Sequence, residues 1–426
     1  MHYLLALLLA FGILTLWIPA AWPVAAFEIG AFALSGWAVC RVRRLPPIFA
    51  YPFLPLIGAV AVGAFQLAAG RTVYAFDTGQ AVLRWLTFLC VFFVARVALR
   101  DEPRLRWFQS AMLGFGSLVA LEATLQSFAA DGQIFWLFRV PYSDVAMGPI
   151  LSHNHFAAFV EVLLPLAVYQ ALRRTDWPYL YAAMAATMYA AVITSASRAG
   201  TILSTAAIVV TAGVMYWRDM VKARQAGVVL VRIGTLLVLF TLVVGWQTVW
   251  SRLLQPDPMA FRHELNLSSL QMIAARPWLG FGLGTWPVAY PQYAVLDVGL
   301  FANQAHCDWL QWTAEGGVPL GLLLASLFFW AVRTSFRSFA RSSSHGRSLR
   351  CLWGLGIVSV FLHAGVDYPF SRPALGSWFM VMLAMLAAGC AVQSSAQETS
   401  GDEAGDAPAM RPFAAHYHER HVSDWN

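Results

Sequence analysis

Residues 154–172 read NHFAAFVEVLLPLAVYQAL, an apolar run that contains one acid and no Lys or Arg. A helix needs about 20 apolar residues to cross the hydrocarbon core of a bilayer, so this run is long enough to span a membrane. Twelve runs of this kind occur along the chain. The predicted spans are residues 3–20, 22–40, 47–69, 80–99, 107–130, 154–172, 178–194, 200–217, 227–247, 309–332, 351–367 and 375–393. The pattern predicts an all-α, polytopic integral membrane protein.

The composition agrees with a membrane protein. Of 426 residues, 59% are hydrophobic and 12% are charged, against about 25% charged in an average soluble domain. The 18 Trp and 29 Phe fit the aromatic belts that form at bilayer interfaces. A water-soluble globule, a disordered chain, a coiled coil and a collagen-like fibre are therefore excluded.

The basic residues predict the orientation of the chain. Although the net charge is +6, the basic residues are scattered between apolar runs, a pattern that does not indicate nucleic-acid binding. The even-numbered connections carry 16 basic residues and the odd-numbered connections carry seven. The excess of positive charge on the cytoplasmic side predicts that both termini are cytoplasmic. No Lys or Arg precedes the first run, which we interpret as a retained span rather than a signal peptide.

Two segments are predicted to lie outside the membrane. Residues 248–308 form a large loop on the outer side between spans nine and ten, too long for a simple turn. Within it, FRHELNLSSLQMIAARP (261–277) predicts a short helix that ends before Pro277, has most of its apolar residues on one side and lies on the membrane surface. Residues 394–426 are predicted to be a disordered cytoplasmic tail, whose histidines fit a solvated segment better than a metal site.

Polar and ionisable residues converge on the predicted outer face. Such residues are costly at a membrane and mark functional sites. The five groups are His153, Asn154 and His155 with Glu161; Arg198; Arg262 and Arg276; His306, Asp308, Gln311 and Glu315; and His363 with Asp367. Taken singly, each has a structural explanation, because an interfacial Arg extends to lipid phosphate and a lone His caps a helix or packs. Their convergence favours a functional site.

The residue types in this set suit a phosphate-bearing substrate. Arg presents a fixed fork of donors that matches phosphate oxygens, and His accepts a proton from a hydroxyl near neutral pH. No DxD, HExxH or dense carboxylate cluster is present, so neither a metal nor a cofactor is expected. The segment GFGLGTW (280–286) follows no βαβ strand, and its glycines are expected to let the loop turn tightly against the membrane.

Five stretches of the second half of the chain form an ordered set. They are SHNHFAAFVEVLLPLA (152–167), TSASRAG (194–200), RPWLGFGLGTW (276–286), AHCDWLQWTAEGGVPLG (305–321) and HAGVDYPFSRPA (363–374). In this order they resemble the signature stretches of the O-antigen ligase and O-antigen polymerase superfamily. The resemblance covers about residues 152–374, and spans one to five resemble the family only in character. One such motif is modestly specific, whereas five in order on the predicted topology are a strong match.

The resemblance implies a metal-independent, inverting glycosyltransferase of the bacterial inner membrane. Such an enzyme moves a glycan from an undecaprenyl-diphosphate carrier to the hydroxyl of a lipid or glycan acceptor on the periplasmic side, and works among partners in polysaccharide assembly. It also implies three regions: amino-terminal transmembrane helices (1–130), an O-antigen ligase/polymerase-like catalytic membrane region with its periplasmic loop (131–393), and the tail (394–426).

The resemblance further implies residue roles. The family stretch H-x-x-x-L-Q-x-x-x-E-x-G places its His at His306, with Gln311 and Glu315 in register, while the two family arginines correspond to Arg198 and Arg262. Cys307 departs from the family pattern, in which Asn is common at that position. The three catalytic candidates are therefore His306, Arg198 and Arg262. The substrate-binding candidates are Arg276, Asp308, Gln311, Glu315, His153, Asn154, His155, His363 and Asp367.

Helix geometry separates the two loop arginines. Fourteen helical residues at a rise of 1.5 Å put Arg262 and Arg276 about 21 Å apart, so one diphosphate cannot bind both. We expect Arg262 to bind the diphosphate and Arg276 to bind acceptor or only to cap the helix. Asp308 or Glu315 is expected to set the tautomer of His306. The spacing of His363 and Asp367 predicts a hydrogen bond between them, serving either sugar binding or helix packing.

Three other functions compete with glycan transfer to lipid or polysaccharide. A transporter or flippase of a lipid-linked glycan fits twelve spans, but transporters place their polar sites near the midplane between related halves. A protein O-oligosaccharyltransferase belongs to the same superfamily, and often carries a larger soluble carboxyl-terminal region than residues 394–426. A structural scaffold does not account for the convergent Arg and His residues.

Overall fold

The computed structural model describes residues 1–41, 50–139, 146–173, 177–217, 221–244, 259–295, 302–341 and 354–388. Its long elements are helices, in chain order α1 (His2–Leu14), α2 (Trp22–Arg41), α3 (Phe53–Ala68), α4 (Ala75–Ala98), α5 (Glu102–Ala129), α6 (His153–Leu172), α7 (Pro178–Thr194), α8 (Arg198–Trp217), α9 (Ala223–Val244), α10 (Met259–Ala275), α11 (Trp286–Ala289), α12 (Asp308–Arg341), α13 (Gly354–His363) and α14 (Pro373–Ala388). Short 3₁₀ turns cover Tyr290–Tyr293 and Pro369–Ser371. The predicted tail, 394–426, lies outside the described residues.

The helical content and the apolar helices confirm an all-α membrane protein. Within the described ranges, six helices are long and apolar enough to cross a bilayer: α2, α4, α5, α6, α8 and α12. Shorter apolar helices include α1, α3, α13 and α14. Helix α7 has the bounds predicted for span seven. The count of twelve spans and the position of the 248–308 loop stay predictions.

A small hairpin is the only sheet in the described part of the chain. Strands β1 (Gln133–Ile134) and β2 (Phe138–Arg139) pair antiparallel, with Gln133 opposite Arg139. The side-chain oxygen of Gln126 accepts a hydrogen bond from the Phe135 amide at the turn, at 2.9 Å. Strands of two residues are too short for a period-2 pattern to reveal them in the sequence.

Helix α6 is the centre of the bundle. Ser152 caps its start by accepting from the His155 amide, and almost every side chain from His155 to Leu172 is buried. It packs against α5, α7, α8, α9 and α13. The buried His155 and Glu161 of α6 favour this central position, because ionisable side chains are costly against lipid. Gly356 of α13 sits so close that a Cβ there would meet the Val162 backbone.

Helix α12 is divided near its start by a break at Gly317. This residue has φ 79° and ψ 169°, which is not helical. The Val318 amide, freed by the break, donates to the Pro277 carbonyl at 2.7 Å. The short first part of α12 therefore takes its own direction, and it carries Asp308, Gln311 and Glu315.

The glycine-rich loop 280–286 turns tightly, as the sequence predicts, but it packs against that first part of α12. Gly280, Gly282 and Gly284 all have positive φ, at 65°, 115° and 75°. The Phe281 amide donates to the Ala314 carbonyl at 3.1 Å, and the Gly282 amide donates to the Glu315 carbonyl at 2.9 Å. These bonds form only because the glycine backbone comes within contact of the helix backbone.

Replacing Gly280 with alanine should destabilise the protein by about 1–3 kcal/mol. The residue has positive φ, and a Cβ would overlap the Glu315 backbone. Gly70→Ala is the matched control, since Gly70 also has a φ near +60° but its Cβ would meet nothing within 4 Å. Thermal unfolding in detergent should show a larger fall in Tm for Gly280→Ala than for Gly70→Ala. Equal falls would mean that the contact with α12 contributes nothing.

The loop helix α10 ends before Pro277 as predicted, and Leu265, Met272 and Ile273 share its buried side. Leu265 and Met272 are buried together with Ser268 and Ser269, whereas Leu267 and Leu270 are exposed. The buried side packs on α12. Ser269 fits this side because its hydroxyl accepts from the Trp286 indole N–H at 3.0 Å. The prediction that most of the apolar residues lie on one side therefore holds for Leu265, Met272 and Ile273, while Leu267 and Leu270 lie elsewhere on the helix.

Candidate active site

A turn after α13 forms the floor of the candidate site. Helix α13 ends at His363, and the amides of Val366 and Asp367 both donate to the His363 carbonyl. The start of α12 holds this turn in place: the Asp308 amide donates to the Ala364 carbonyl at 2.9 Å. The Asp308 carboxylate also accepts from the Phe370 amide at 3.1 Å. The turn and the start of α12 therefore form one unit.

His306 faces Asp367 across this unit. Its Nδ1 lies 3.5 Å from Asp367 Oδ1, with the imidazole 28% exposed and the carboxylate buried. The separation is longer than an ordinary N–H···O hydrogen bond. His306 has φ 54°, an uncommon conformation for a residue other than glycine, and one that often occurs at functional sites.

The turn carries two groups with altered acidity. Burial raises the pKa of Asp367, but His306 and the neighbouring imidazoles of His155 and His363 outweigh it, so the pKa of this carboxyl lies below its usual value. Burial, together with the nearby negative charge of Asp367, raises the pKa of Tyr368 to about 12. Near neutral pH, Asp367 is therefore a carboxylate and Tyr368 a neutral phenol.

Tyr368 connects His306 with the start of α6. The ring centroid of Tyr368 lies 4.8 Å from that of His306 and 4.7 Å from that of His155, with both imidazoles nearly perpendicular to the phenol ring. His155 is buried, and its Nε2 has no hydrogen-bond partner among the residues that the structure describes. The candidates His155, His306 and Asp367, far apart in the chain, are thus brought together.

Arg262 lies beside the same turn. One of its terminal nitrogens donates to the Val366 carbonyl at 3.1 Å, next to Asp367. A guanidinium has five N–H donors, so this bond fixes the side chain and leaves most of its donors for other acceptors. The structure therefore brings Arg262 to the His306–Asp367 pair.

Arg198 begins α8, directly after a turn that is fixed to the start of α6. His153 Nδ1 lies 2.7 Å from the Ser195 carbonyl oxygen, and Ser197 Oγ donates to Asn154 Oδ1 at 2.8 Å. These contacts make His153 and Asn154 positioning residues for the turn. Arg198 itself is exposed. Ser197 binds Asn154, and the next residue, His155, packs against Tyr368. These contacts join the turn to the candidate site.

His363 pairs with Glu161 instead of Asp367. Its Nδ1 lies 2.7 Å from Glu161 Oε1, and both side chains are almost wholly buried. The predicted hydrogen bond between the side chains of His363 and Asp367 does not form because α13 ends at His363, so that the Asp367 carboxylate lies in the turn and not on the same helix face as the His363 imidazole. The pair binds α13 to α6 beneath the turn.

Glu315 and Gln311 hold the glycine-rich loop. The carboxylate of Glu315 accepts from the Gly284 amide at 2.8 Å, from the Trp286 amide at 3.3 Å and from Gln311 Nε2 at 3.0 Å. The Ala305 amide donates to Gln311 Oε1 at 3.0 Å. The expectation that Asp308 or Glu315 orients His306 is therefore wrong: their carboxylates bind backbone amides, and Asp367 is the acid that faces His306.

Arg276 lies away from this site. Its guanidinium packs over the Phe281 ring, 4.5 Å from the ring centroid. It follows the end of α10, whereas Arg262 lies near the start of the same helix. The structure does not bring Arg276 to His306, in agreement with the separation predicted from helix length.

Three residues near the site were not singled out from the sequence. Tyr368 packs between two imidazoles, and the charge of Arg372 acts on it. Gln66 of α3 donates to the carbonyls of Leu279 and Glu315 and so supports the glycine-rich loop. The stretch DYPFSRP contained the signal for Tyr368 and Arg372, whereas nothing marks Gln66 among other polar residues of the first spans.

No cluster of metal ligands forms among the described residues. No three His, Cys, Asp or Glu side chains there are arranged to hold a metal ion. The carboxylates of Asp308 and Glu315 are already occupied by amide donors. The site is therefore built from arginine, histidine and one buried carboxylate.

These features define a polytopic membrane protein with a basic, histidine-containing site at one end of its helix bundle. Residues 183–325 match the family model of the O-antigen ligases. The matched segment covers about a third of the chain, includes Arg198, Arg262 and His306, and supports the resemblance to the O-antigen ligase and polymerase superfamily. No curated protein matched the sequence.

Proposed function

We propose that this protein transfers a glycan from an undecaprenyl-diphosphate carrier to an acceptor hydroxyl on the periplasmic side of the bacterial inner membrane. The family match supports membrane glycan transfer of the ligase or polymerase type in general. The observation that carries the residue-level proposal is the partly exposed His306 facing the buried carboxylate of Asp367, with Arg262 bonded to the same turn.

His306 acts as the general base. With Nδ1–H directed at the Asp367 carboxylate, Nε2 carries the lone pair and is available to the acceptor. The acceptor hydroxyl gives its proton to Nε2 while its oxygen attacks the anomeric carbon of the donor sugar. The bond from that carbon to the phosphate oxygen breaks, its electron pair stays on the diphosphate, and the configuration is inverted. Asp367 stabilises the imidazolium that forms.

Arg262 and Arg198 bind the diphosphate. Negative charge accumulates on it as the sugar leaves, and charge-assisted hydrogen bonds from guanidinium groups strengthen as this charge develops. Arg262 is held by the Val366 carbonyl and Arg198 follows the turn held by His153 and Asn154. Donors fixed in advance lose little freedom on binding, which favours stabilisation of the transition state.

The three-region organisation remains part of the proposal. Residues 131–393 form the catalytic membrane region, 1–130 the amino-terminal helices, and 394–426 a cytoplasmic tail. Gln66 supports this division of roles, since its hydrogen bonds connect α3 to the loop that lies on α12. The amino-terminal helices would thus support the catalytic region.

Glycan profiling after gene deletion tests the type of transfer. Loss of attached glycan with normal chain length indicates a ligase, whereas loss of chain length indicates a polymerase. Glycan missing only from proteins indicates a protein O-oligosaccharyltransferase. An unchanged glycan profile would contradict the proposed function.

Transfer should persist in excess chelator. The proposed charge neutralisation comes from arginines, and divalent ions normally need several oxygen ligands. Purified protein in detergent, given an undecaprenyl-diphosphate glycan and an acceptor, should show the same rate with and without EDTA. A rate that falls with EDTA and returns on adding Mg²⁺ or Mn²⁺ would contradict metal independence and assign the carboxylates to metal binding.

A further inference from the structure

A second basic cleft lies apart from His306, between the α3–α4 connection and the end of α10. Its volume is about 610 Å³, and its walls are residues 70–73 and 275–280. The two walls are joined by backbone: the Val73 amide donates to the Phe281 carbonyl at 2.9 Å. Gln66 Nε2 reinforces this contact by donating to the Leu279 carbonyl at 2.7 Å. The cleft is therefore fixed by bonds between distant parts of the chain.

Two arginines, Arg71 and Arg276, supply the charge of this cleft. Both are exposed, and within the described ranges no carboxylate forms an ion pair with either. Stacking on Phe281 holds the Arg276 guanidinium at one wall. Two guanidinium groups that line one cleft and have no ion-pair partner among the described residues offer a binding site for a phosphate group.

The residues around the cleft resemble an interfacial belt. Trp278 is 75% exposed and lines the cleft, while Tyr74 and Phe76 are exposed just beyond it. Exposed aromatic rings with a polar edge favour the level of lipid headgroups. A phosphate that reaches Arg71 and Arg276 is therefore expected to belong to a lipid.

The distance from the candidate active site sets the role of the cleft. Arg262 and Arg276 lie at opposite ends of α10, and 14 residues at 1.5 Å each separate them by about 21 Å. A donor diphosphate held by Arg262 cannot reach Arg276. A lipid whose phosphate rests in the cleft can reach His306 only through a chain of several sugars.

We propose that the Arg71–Arg276 cleft binds the phosphate of a lipid headgroup and anchors a phosphorylated glycolipid acceptor there. The acceptor role rests on the proposed function. Binding of the phosphate does not rest on the proposed function, and it is tested without any transfer reaction.

Binding of short-chain phosphatidic acid to the purified full-length protein in neutral detergent measures the site directly. Calorimetric titration should show saturable binding that weakens by about tenfold or more in the Arg71→Gln, Arg276→Gln double variant. Arg139→Gln is the matched control, because Arg139 is an exposed arginine of β2 outside both sites. The Arg71→Lys, Arg276→Lys double variant should retain part of the affinity for phosphatidic acid. The positive charge remains, but the paired N–H donors of the guanidinium groups are lost.

Two further experiments distinguish lipid phosphate from free phosphate, and lipid binding in the cleft from the proposed glycan transfer. Inorganic phosphate should compete only weakly; equal competition would overturn a lipid-anchored site. Unchanged phosphatidic acid binding in the double glutamine variant, or equal loss in Arg139→Gln, would overturn the cleft itself.

Arg262→Gln should abolish transfer and keep phosphatidic acid binding. In the transfer assay, the double variant should raise the KM for a phosphorylated acceptor and leave the KM for donor unchanged, and an unchanged acceptor KM would overturn the acceptor role alone.

Discussion

Replacing His306 with alanine should lower the rate of glycan transfer by about 10²–10⁴-fold, the usual contribution of a general base. The protein should still insert and unfold at the wild-type temperature, because the imidazole is partly exposed and lies at the 3.5 Å limit of contact with Asp367. The measurement is turnover of purified variant in detergent, together with complementation of a deletion strain. Near-wild-type transfer by correctly inserted protein would contradict the assignment.

Two companion variants sharpen this test. His263→Ala removes an exposed imidazole of α10 that has no part in the proposed mechanism, so it should change transfer by less than about twofold. Asp367→Asn keeps the shape of the partner and removes its charge. It should reduce kcat less than His306→Ala does and leave the KM for donor unchanged. If Asp367→Asn unfolds the protein, the turn needs the carboxylate for stability, and the orienting role fails.

Arg198→Lys should be nearly as damaging as Arg198→Ala, with transfer about 10²–10³-fold below wild type in both. A single ammonium does not reproduce the two parallel hydrogen bonds of a guanidinium to a diphosphate. The turn before Arg198 is held by Asn154 and His153 through Ser197 and Ser195, so the shorter reach of lysine is not corrected by movement of the backbone.

The control for this prediction is Arg139→Lys, an exposed arginine on the small hairpin. It should leave transfer unchanged. Competition by an unreactive diphosphate lipid should be weaker for Arg198→Lys than for wild type. Should the Arg198→Lys variant retain most of the activity, Arg198 would act only through its net charge and the bidentate model would be wrong.

The membrane class, the loop helix and the tight glycine loop followed from the sequence because each rests on local chemistry. Apolar length, a proline after the end of a helix and closely spaced glycines act within one segment, and α7 and α10 end where these signals predict. Packing partners follow from contacts between segments. The buried side of α10 includes two serines, which the apolar pattern alone did not reveal.

The pairing within the candidate site was the least predictable part. Spacing favoured His363 with Asp367, and proximity in sequence favoured Asp308 or Glu315 with His306. The end of α13 at His363 moved Asp367 into the turn, where it meets His306, and left His363 to Glu161. Matching Glu315 to a family motif did not distinguish a residue that acts on substrate from one that holds the loop.

The Glu161–His363 pair has a consequence for the order of assembly. The two residues are 202 positions apart in the chain, and synthesis at about 5–20 residues per second separates them by about 10–40 s. During this interval α6 carries a carboxyl group without its imidazole, a burden of about 3 kcal/mol for an ionisable group at the centre of an inserting helix. Until α13 is synthesised, the Glu161 carboxyl lacks its imidazole partner, and we expect chains that end between α6 and α13 to be less stable in the membrane than the full chain.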